Sequence, residues 1–332
     1  MWRSPNCPVY NSGIVSASTR IAAILKFVTR SERLLGLTAR FPLLGKFLVC
    51  RTDAMLGLKN PAIHDYVYQS FCTSNDTSKQ TSAGRFRDLD QLARSIITQY
   101  KLDAIHDIGV SSGVTSLDLF RALATTGIPL SFHISDKYSL YGCAGRCSVR
   151  IVDAEGAVTE LYICGILGKR GASVSKKFPV TRFLHWLLAN RPFHGPIRWF
   201  VLFDREVIEH IEKGLIRRID YDVFRTCMPA AFSFVRCMNL LNLSYFPRES
   251  IETALRNVVA SLKEGGVLQI GRTHPDGISH AAFYRKRDTR LDMLQQVGGG
   301  TELCELIDKL FSDYVSPPKG HGPGNHSTFC QN

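Results

Sequence analysis

The segment DAIHDIGVSSGVTSLDLF, Asp103 to Phe120, constrains the fold of this chain more than any other. A short apolar run reaches Asp107. Gly109, Ser111, Ser112 and Gly113 follow at once, and then a helical pattern begins with Leu117, Phe120 and Leu123. That pattern stops at Gly127, and PLSFHISD reads as a second buried strand ending at Asp136. Strand, tight turn, helix and strand in this order make a βαβ unit, which needs parallel strands with helices laid over them. The expected fold class is therefore α/β: a doubly wound, mostly parallel sheet with an antiparallel edge.

The same periodicities extend this frame in both directions. LDQLARSIITQY is a helix with Leu89, Leu92, Ile96 and Ile97 on one side. AFSFVRCMNLLN is a buried strand running into a loop, RESIETALRNVVASLKEGG is a helix, and GVLQIGRT is the next strand. HAAFYRKR and RLDMLQQV read as an antiparallel edge pair, and TELCELIDKLF as a closing helix. Between 140 and 215 the rhythm breaks. SVRIVDAEGAVTELYIC alternates around Glu155-Gly156 as a β-hairpin does. FPVTRFLHWLLANRPF and PIRWFVLFDREVIEHIEKG are apolar, aromatic and helix-like, and LIRRIDYDVF looks like a strand ending near Asp222. Upstream, residues 1–15 look irregular and 16–72 helical in pieces. The polar run TSNDTSKQTSAG then marks a boundary. The expected division is a basic helical region with its linker over 1–84, an α/β domain over 85–316 carrying an insertion at 140–215, and a mobile tail over 317–332.

Composition bears on partners. The net charge of +12 on 332 residues favours an anionic partner, whether nucleic acid, a lipid surface or a small molecule, or marks a basic surface that binds nothing. No nucleic-acid motif is present, so specific nucleic-acid binding is not expected. The ten cysteines form no CxxC pair, and Cys143 and Cys147 have no second pair at zinc-site spacing, so no metal is expected. The others sit in apolar runs and read as small buried hydrophobes in a reducing compartment. No secretory signal stands at the start, and no stretch of about 18 residues is free of charge. Residues 1–31 lack any acid. They read as a weak transit peptide or, the preferred alternative, as a basic surface helix with Ile21, Ile24, Leu25 and Val28 on one face. The expected location is cytoplasmic, with peripheral membrane contact open. Oligomeric state does not follow.

Backbone beyond the C-terminal end of a parallel strand lies where ligands bind in open α/β sheets, and residues without bulk let a ligand approach it. The spacing here is Asp-x-Gly-x-Ser-x-Gly. A dinucleotide fingerprint needs a small residue where Val114 stands, which weakens a nicotinamide reading. The order resembles the first motif of class I S-adenosylmethionine-dependent methyltransferases, with Ser111 in place of the usual middle glycine. FVRCMNLLNLSYFPRESIETALRNVVASLKEGGVLQIGRT extends the resemblance to the fourth strand, helix and fifth strand of that family. Chemotaxis-receptor methyltransferases are nearest in wording, through Arg236, Cys237, Asn239, Leu240, Tyr245 and Phe246. The likeness runs over about 86–300. Phe232-Ser233 stand where an acid is usual and Glu264 where proline is common. The large insertion and the differing N-terminus argue against an actual receptor methyltransferase.

The resemblance implies a Rossmann-like methyltransferase fold with S-adenosylmethionine held by Asp107, Gly109, Ser111, Gly113, Asp136, Asp222 and Asn239. Asp136 would receive both ribose hydroxyls, and Asp222, or Asp220 in its place, would stand near the adenine amino group. Asn239, Tyr245 and His274 are the candidates for the acceptor side. The sulfonium donor is already activated, so a general base is needed only for an acceptor that must lose a proton. The acceptor is expected to be a small molecule or lipid-like. The insertion reads as a lid over the crevice or as an interfacial segment. The alternative to an enzyme is a catalytically inactive relative that keeps the fold as a binding or scaffold module.

Overall fold

The computed structural model describes residues 12–14, 83–145, 148–163, 167–170, 196–274 and 277–311. The helical region expected over 16–72, the linker before residue 83, the apolar segment FPVTRFLHWLLANRPF and the tail from 317 lie outside the described residues.

A seven-stranded sheet forms the centre. Its parallel part comprises β2 (Ala104–Ile108), β3 (Ser131–Ser135), β9 (Ile216–Arg218), β10 (Phe232–Met238) and β11 (Leu262–Thr273). Two further strands, β12 (Ser279–Arg287) and β13 (Arg290–Val297), close one side antiparallel. The order is β13-β12-β11-β10-β2-β3-β9. The chain steps outward from β2 through β3 to β9, and β10 then pairs with the other side of β2. The reversal of winding therefore falls between β2 and β10, the place where open α/β sheets carry their ligand crevice.

Both faces are covered, as the near-continuous apolar strands require. On one face α1 (Arg87–Tyr100), α2 (Val114–Ala124) and α3 (Arg205–Glu212) contribute to a core with Ile105, Phe132, Ile134, Phe234, Val267 and Phe283. On the other, α4 (Arg248–Ser261) and α5 (Cys304–Phe311) pack on Ile108, Val235, Leu268, Ile270, Ala282 and Tyr284. The two side-chain sets alternate along each strand, which is the period-two geometry of a sheet covered on both sides.

The insertion differs from the expected hairpin with helices. It supplies five strands: β4 (Leu140–Ala144), β5 (Ser148–Asp153), β6 (Val158–Ile163), β7 (Leu167–Arg170) and β8 (Ile197–Val201). With β1 (Ser12–Ile14) they form a second, antiparallel sheet in the order β1-β7-β6-β5-β4-β8. The β5–β6 hairpin lies where the alternation placed it. PIRWFVLFDREVIEHIEKG, expected to be helical throughout, begins instead as strand β8. A run of β-branched and aromatic residues fits a pleated surface, and the helix starts only after Asp204, whose side chain accepts from Glu206 N at 2.8 Å as an N-cap. The opening segment, expected to be irregular, contributes β1.

Two strand boundaries also move. β9 stops at Arg218, four residues short of Asp222. The helix expected to run to Gly266 ends at Ser261, because Leu262 is already extended and begins β11. The cysteines divide by position: Cys237 and Cys143 are buried, whereas Cys227 is exposed.

Candidate functional site

The turn after β2 carries three residues in left-handed backbone: Gly109 at φ +73°, Ser111 at +57° and Gly113 at +82°. Small residues are what such a path requires. What approaches the two glycines is protein. A Cβ on Gly109 would stand 3.2 Å from the Leu240 methyls, and one on Gly113 would stand 3.0 Å from Val207 Cγ1 on α3. A valine at 113 therefore strikes α3 before it meets any ligand.

Sequence reasoning places the N–H groups of this turn in an open crevice, but most are directed inward. Gly109 N and Val110 N donate to Ser135 O at 2.8 and 3.2 Å, Gly113 N to Val110 O at 2.9 Å, and Ser111 N to Asp136 Oδ2 at 2.6 Å. The end of β3 thus folds onto the turn and orders it. Asp136 also accepts from Tyr138 N through Oδ1 at 2.8 Å. One polar atom of the turn stays unused: Ser111 Oγ is buried and has no hydrogen-bond partner.

Asp107 lies buried beneath the turn. Its carboxylate is 3% exposed, and Oδ2 accepts from Arg236 Nη2 and from Ser116 Oγ. Arg236 lies at the same level on β10 and is fully buried. It donates also to Asp90 Oδ1 of α1 at 2.7 Å and to Thr115 O of α2 at 2.9 Å. Asp107 and Arg236 thereby join β2, β10, α1 and α2 beneath the turn. Burial is the first cause that pushes the Asp90 carboxyl up to about 7; Asp107 and Asp118 add to it, and Arg236 opposes it.

Arg236 entered the sequence reading only through the resemblance, and its partnership with Asp90 and Asp107 was missed. A signal was present: an arginine inside the apolar strand FSFVRCM implies a buried acid, since an unpaired buried charge is too costly to keep.

The other candidates fall along the C-terminal rim of the sheet. Asn239 follows β10 in left-handed backbone at φ +57°; its N–H donates to Gly271 O, and its Oδ1 accepts from Thr273 N at 2.7 Å. It fastens β10 to β11 at the level of the turn. Tyr245 is 68% exposed, and His274 stacks on His280 with ring centroids 4.0 Å apart. Asp222 accepts from Phe224 N at 3.0 Å and faces Lys137 Nζ at 3.4 Å; Lys137 also reaches Glu155 at 3.1 Å. The hairpin turn of the second sheet is thereby tied to the residue next to Asp136. Phe224, two residues after Asp222, lines an open cavity of about 350 Å³ with Phe246, Ser250 and Thr253. Asp107, the glycine turn, Asp136, Asn239 and His274 thus gather along the ends of β2, β3, β10 and β11, while Asp222 sits on the β3 side behind Lys137.

Among the described residues no group of three or more His, Cys, Asp or Glu side chains stands where it would hold a metal ion, and no helix is long and apolar enough to cross a membrane.

No family model matches the chain, and no curated protein matches it. Solved structures similar to it include the S-adenosylmethionine-dependent methyltransferase SibL in its apo form, at 15% identity and a TM-score of 0.26, covering 58% of this chain and 39% of that one. The 1,6-didemethyltoxoflavin-N1-methyltransferase of Burkholderia thailandensis is 13% identical with a TM-score of 0.31, covering 67% and 66%. The amino pentose methyltransferase CalS10 of Micromonospora echinaspora is 12% identical with a TM-score of 0.29, covering 61% and 64%. The chain thus spans between 39% and 66% of the length of these structures. Values this low leave the functional reading to the residues of the site.

Proposed function

We propose that this chain transfers a methyl group from S-adenosylmethionine to a small acceptor. The observation that carries the reading is the Gly109–Gly113 turn at the switch between β2 and β10. It has a buried, partnerless Ser111 hydroxyl and the Asp136 carboxylate held against it. A hydroxyl buried in a ligand-type turn without a partner is out of keeping with folded proteins generally and fits a ligand atom. The donor supplies an activated methyl on sulfur. The protein's part is to bind it, keep water away and aim the acceptor along the line of displacement. In this reading Ser111 and Asp136 hold the donor, Asp136 taking its ribose hydroxyls. Asp222 and the Phe224–Phe246 cavity take the base, and Asn239, Tyr245 and His274 border the acceptor. Asp107 acts beneath the turn as a positioning residue.

The test is calorimetric titration with S-adenosylhomocysteine. Ser111→Ala removes a hydroxyl on which no other protein group depends. It is expected to leave the melting temperature unchanged and weaken binding by about tenfold, the worth of one hydrogen bond. Full affinity in that variant removes the turn from the site.

A second reading is favoured by a specific feature. Leu240 and Val207 already press on Gly109 and Gly113, and the N–H groups of the turn are largely taken up within the protein. A relative that kept the fold as a binding module without the cofactor would have such a turn. It predicts no heat with S-adenosylhomocysteine in the wild-type chain.

A further inference from the structure

Past β10 the rim becomes apolar around one guanidinium and a pair of imidazoles. Ile108, Cys237 and Ile270 are level across β2, β10 and β11, so Arg272 stands at the height of the glycine turn. It is two strand spacings away, about 10 Å. Arg272 is paired with His280 across β11 and β12, and the His274 ring lies on that of His280, 14° from parallel. Gly299 N donates to His280 Nδ1 at 2.9 Å, so the Nε2 of the neutral ring carries its proton and is a donor.

The guanidinium of Arg272 is only partly matched. Its Nη1 meets Glu302 Oε2 at 2.9 Å, while its Nε is buried with no hydrogen-bond partner. Glu302 in turn is shared, its other oxygen accepting from Leu243 N at 3.2 Å.

The same rim exposes large apolar side chains. Leu243 is 45%, Tyr245 68% and Ile278 57% exposed. Two of them are linked to the polar group, Leu243 through Glu302 and Ile278 through its carbonyl, which accepts from His274 N at 2.8 Å, and Tyr245 follows Leu243 by two residues. Apolar surface around an incompletely paired guanidinium and an imidazole donor is complementary to a molecule with an apolar body and an anionic, planar head. Guanidinium and carboxylate match in shape as well as charge.

We propose that the methyl acceptor is an apolar carboxylic acid. Its carboxylate is received by Arg272, with His280 beside it, and its body lies on Leu243, Tyr245 and Ile278. The inference rests on the methyl-transfer reading and adds the chemical class of the acceptor to it.

The experiment uses the full chain with S-adenosylhomocysteine present, titrated with fluorescent 1-naphthoate and, in parallel, with neutral 1-naphthamide. The acid is expected to bind at least about tenfold more tightly than the amide, the usual worth of a charge-assisted hydrogen bond. Arg272→Gln is expected to erase that preference while leaving the amide unaffected. Glu302→Gln, which frees the guanidinium from its present partner, is expected to tighten the acid several-fold. This second variant separates binding from scaffolding, because a merely structural ion pair gives no gain when its acid is removed. Equal affinity for acid and amide overturns the inference, as does a Glu302→Gln chain that binds the acid no better. Full competition by inorganic phosphate at the same ionic strength also overturns it, by showing a general anion surface. Calorimetry of S-adenosylhomocysteine on the same samples keeps the two claims apart. If the cofactor product binds and the naphthalene pair is not distinguished, the acceptor class alone falls. If the acid is selected but the cofactor product gives no heat, methyl transfer falls and the rim stands as a carboxylate site.

Discussion

Asp107 shows how a residue can be found by sequence while its partner is not. Its place at the end of the first central strand followed from the apolar run and the small residues after it. Its partner did not, because Arg236 lies 129 positions away and only the parallel pairing of β2 with β10 brings the two together. Removing Arg236 would leave Asp90 and Asp107 buried without their shared cation, a loss of about 3–5 kcal/mol. A subtler test uses pH. The Asp90 carboxyl ionises only at about 7 in the folded chain, chiefly because it is buried, whereas in the unfolded chain it ionises near the ordinary aspartate value. The native state therefore holds the proton longer, and this residue's contribution to stability is lost as pH rises from about 4 to 7. His106 has the opposite sign. Burial first, and then His133, lowers it to about 3, so its contribution is lost as pH falls below its ordinary value. Asp90→Asn removes only the first effect. Relative to wild type, the variant is expected to gain on the order of 2 kcal/mol between pH 5 and pH 8, read from urea unfolding at the two values. Parallel pH profiles for variant and wild type would show that Asp90 is ionised throughout.

Local period decides an element when one face is buried, and it fails when neither is. The β5–β6 hairpin and the β12–β13 pair were legible because alternation or a short turn marked them. IRWFV was not, since Arg198 interrupts its apolar residues without setting an alternation, none of the five is buried, and the Asp204 cap three residues beyond is a weak mark. The second sheet as a whole lay beyond reach, because β1 joins β7 across more than 150 residues that share no motif. Each sheet contains a glycine at a close approach, and the two differ in expected cost. A Cβ on Gly271 would stand 2.1 Å from His280 O and 2.6 Å from Ala281 Cα, both backbone atoms of β12. A Cβ on Gly142 would stand 2.5 Å from Ile197 Cγ2, a methyl on the outermost strand of the second sheet. Backbone cannot turn aside, and a methyl can. Gly271→Ala is therefore expected to destabilise by more than about 3 kcal/mol, and Gly142→Ala by about 1–2 kcal/mol. Ile197→Ala should relieve the second and not the first. Equal costs, or no relief by Ile197→Ala, would count against the registers of β11 with β12 and of β4 with β8.

At the scale of the molecule, the two halves of the doubly wound sheet meet between β2 and β10, and every polar candidate on the rim is arranged around that meeting. Lys137, next to Asp136, ties the β5–β6 hairpin to the same region through Glu155. A ligand there would touch the turn after β2, the end of β3 and the loop after β10, three pieces that separate on unfolding. Its binding must therefore appear as global stability. At one hundred times its dissociation constant, a ligand specific for the folded chain adds about 2.7 kcal/mol. For a domain of this size that raises the melting temperature by roughly 5–10 °C. S-adenosylhomocysteine is expected to produce a shift of this order and NAD none, since Val114 stands where a dinucleotide needs a small residue. The size of the shift should grow with the logarithm of ligand concentration, and Ser111→Ala should displace that line to higher concentration by its loss of affinity without altering the unliganded melting point. A shift with NAD alone would return the turn to dinucleotide chemistry. Absence of a shift with both would mean that Leu240 and Val207 have closed the crevice, and that the doubly wound sheet serves to bind something else.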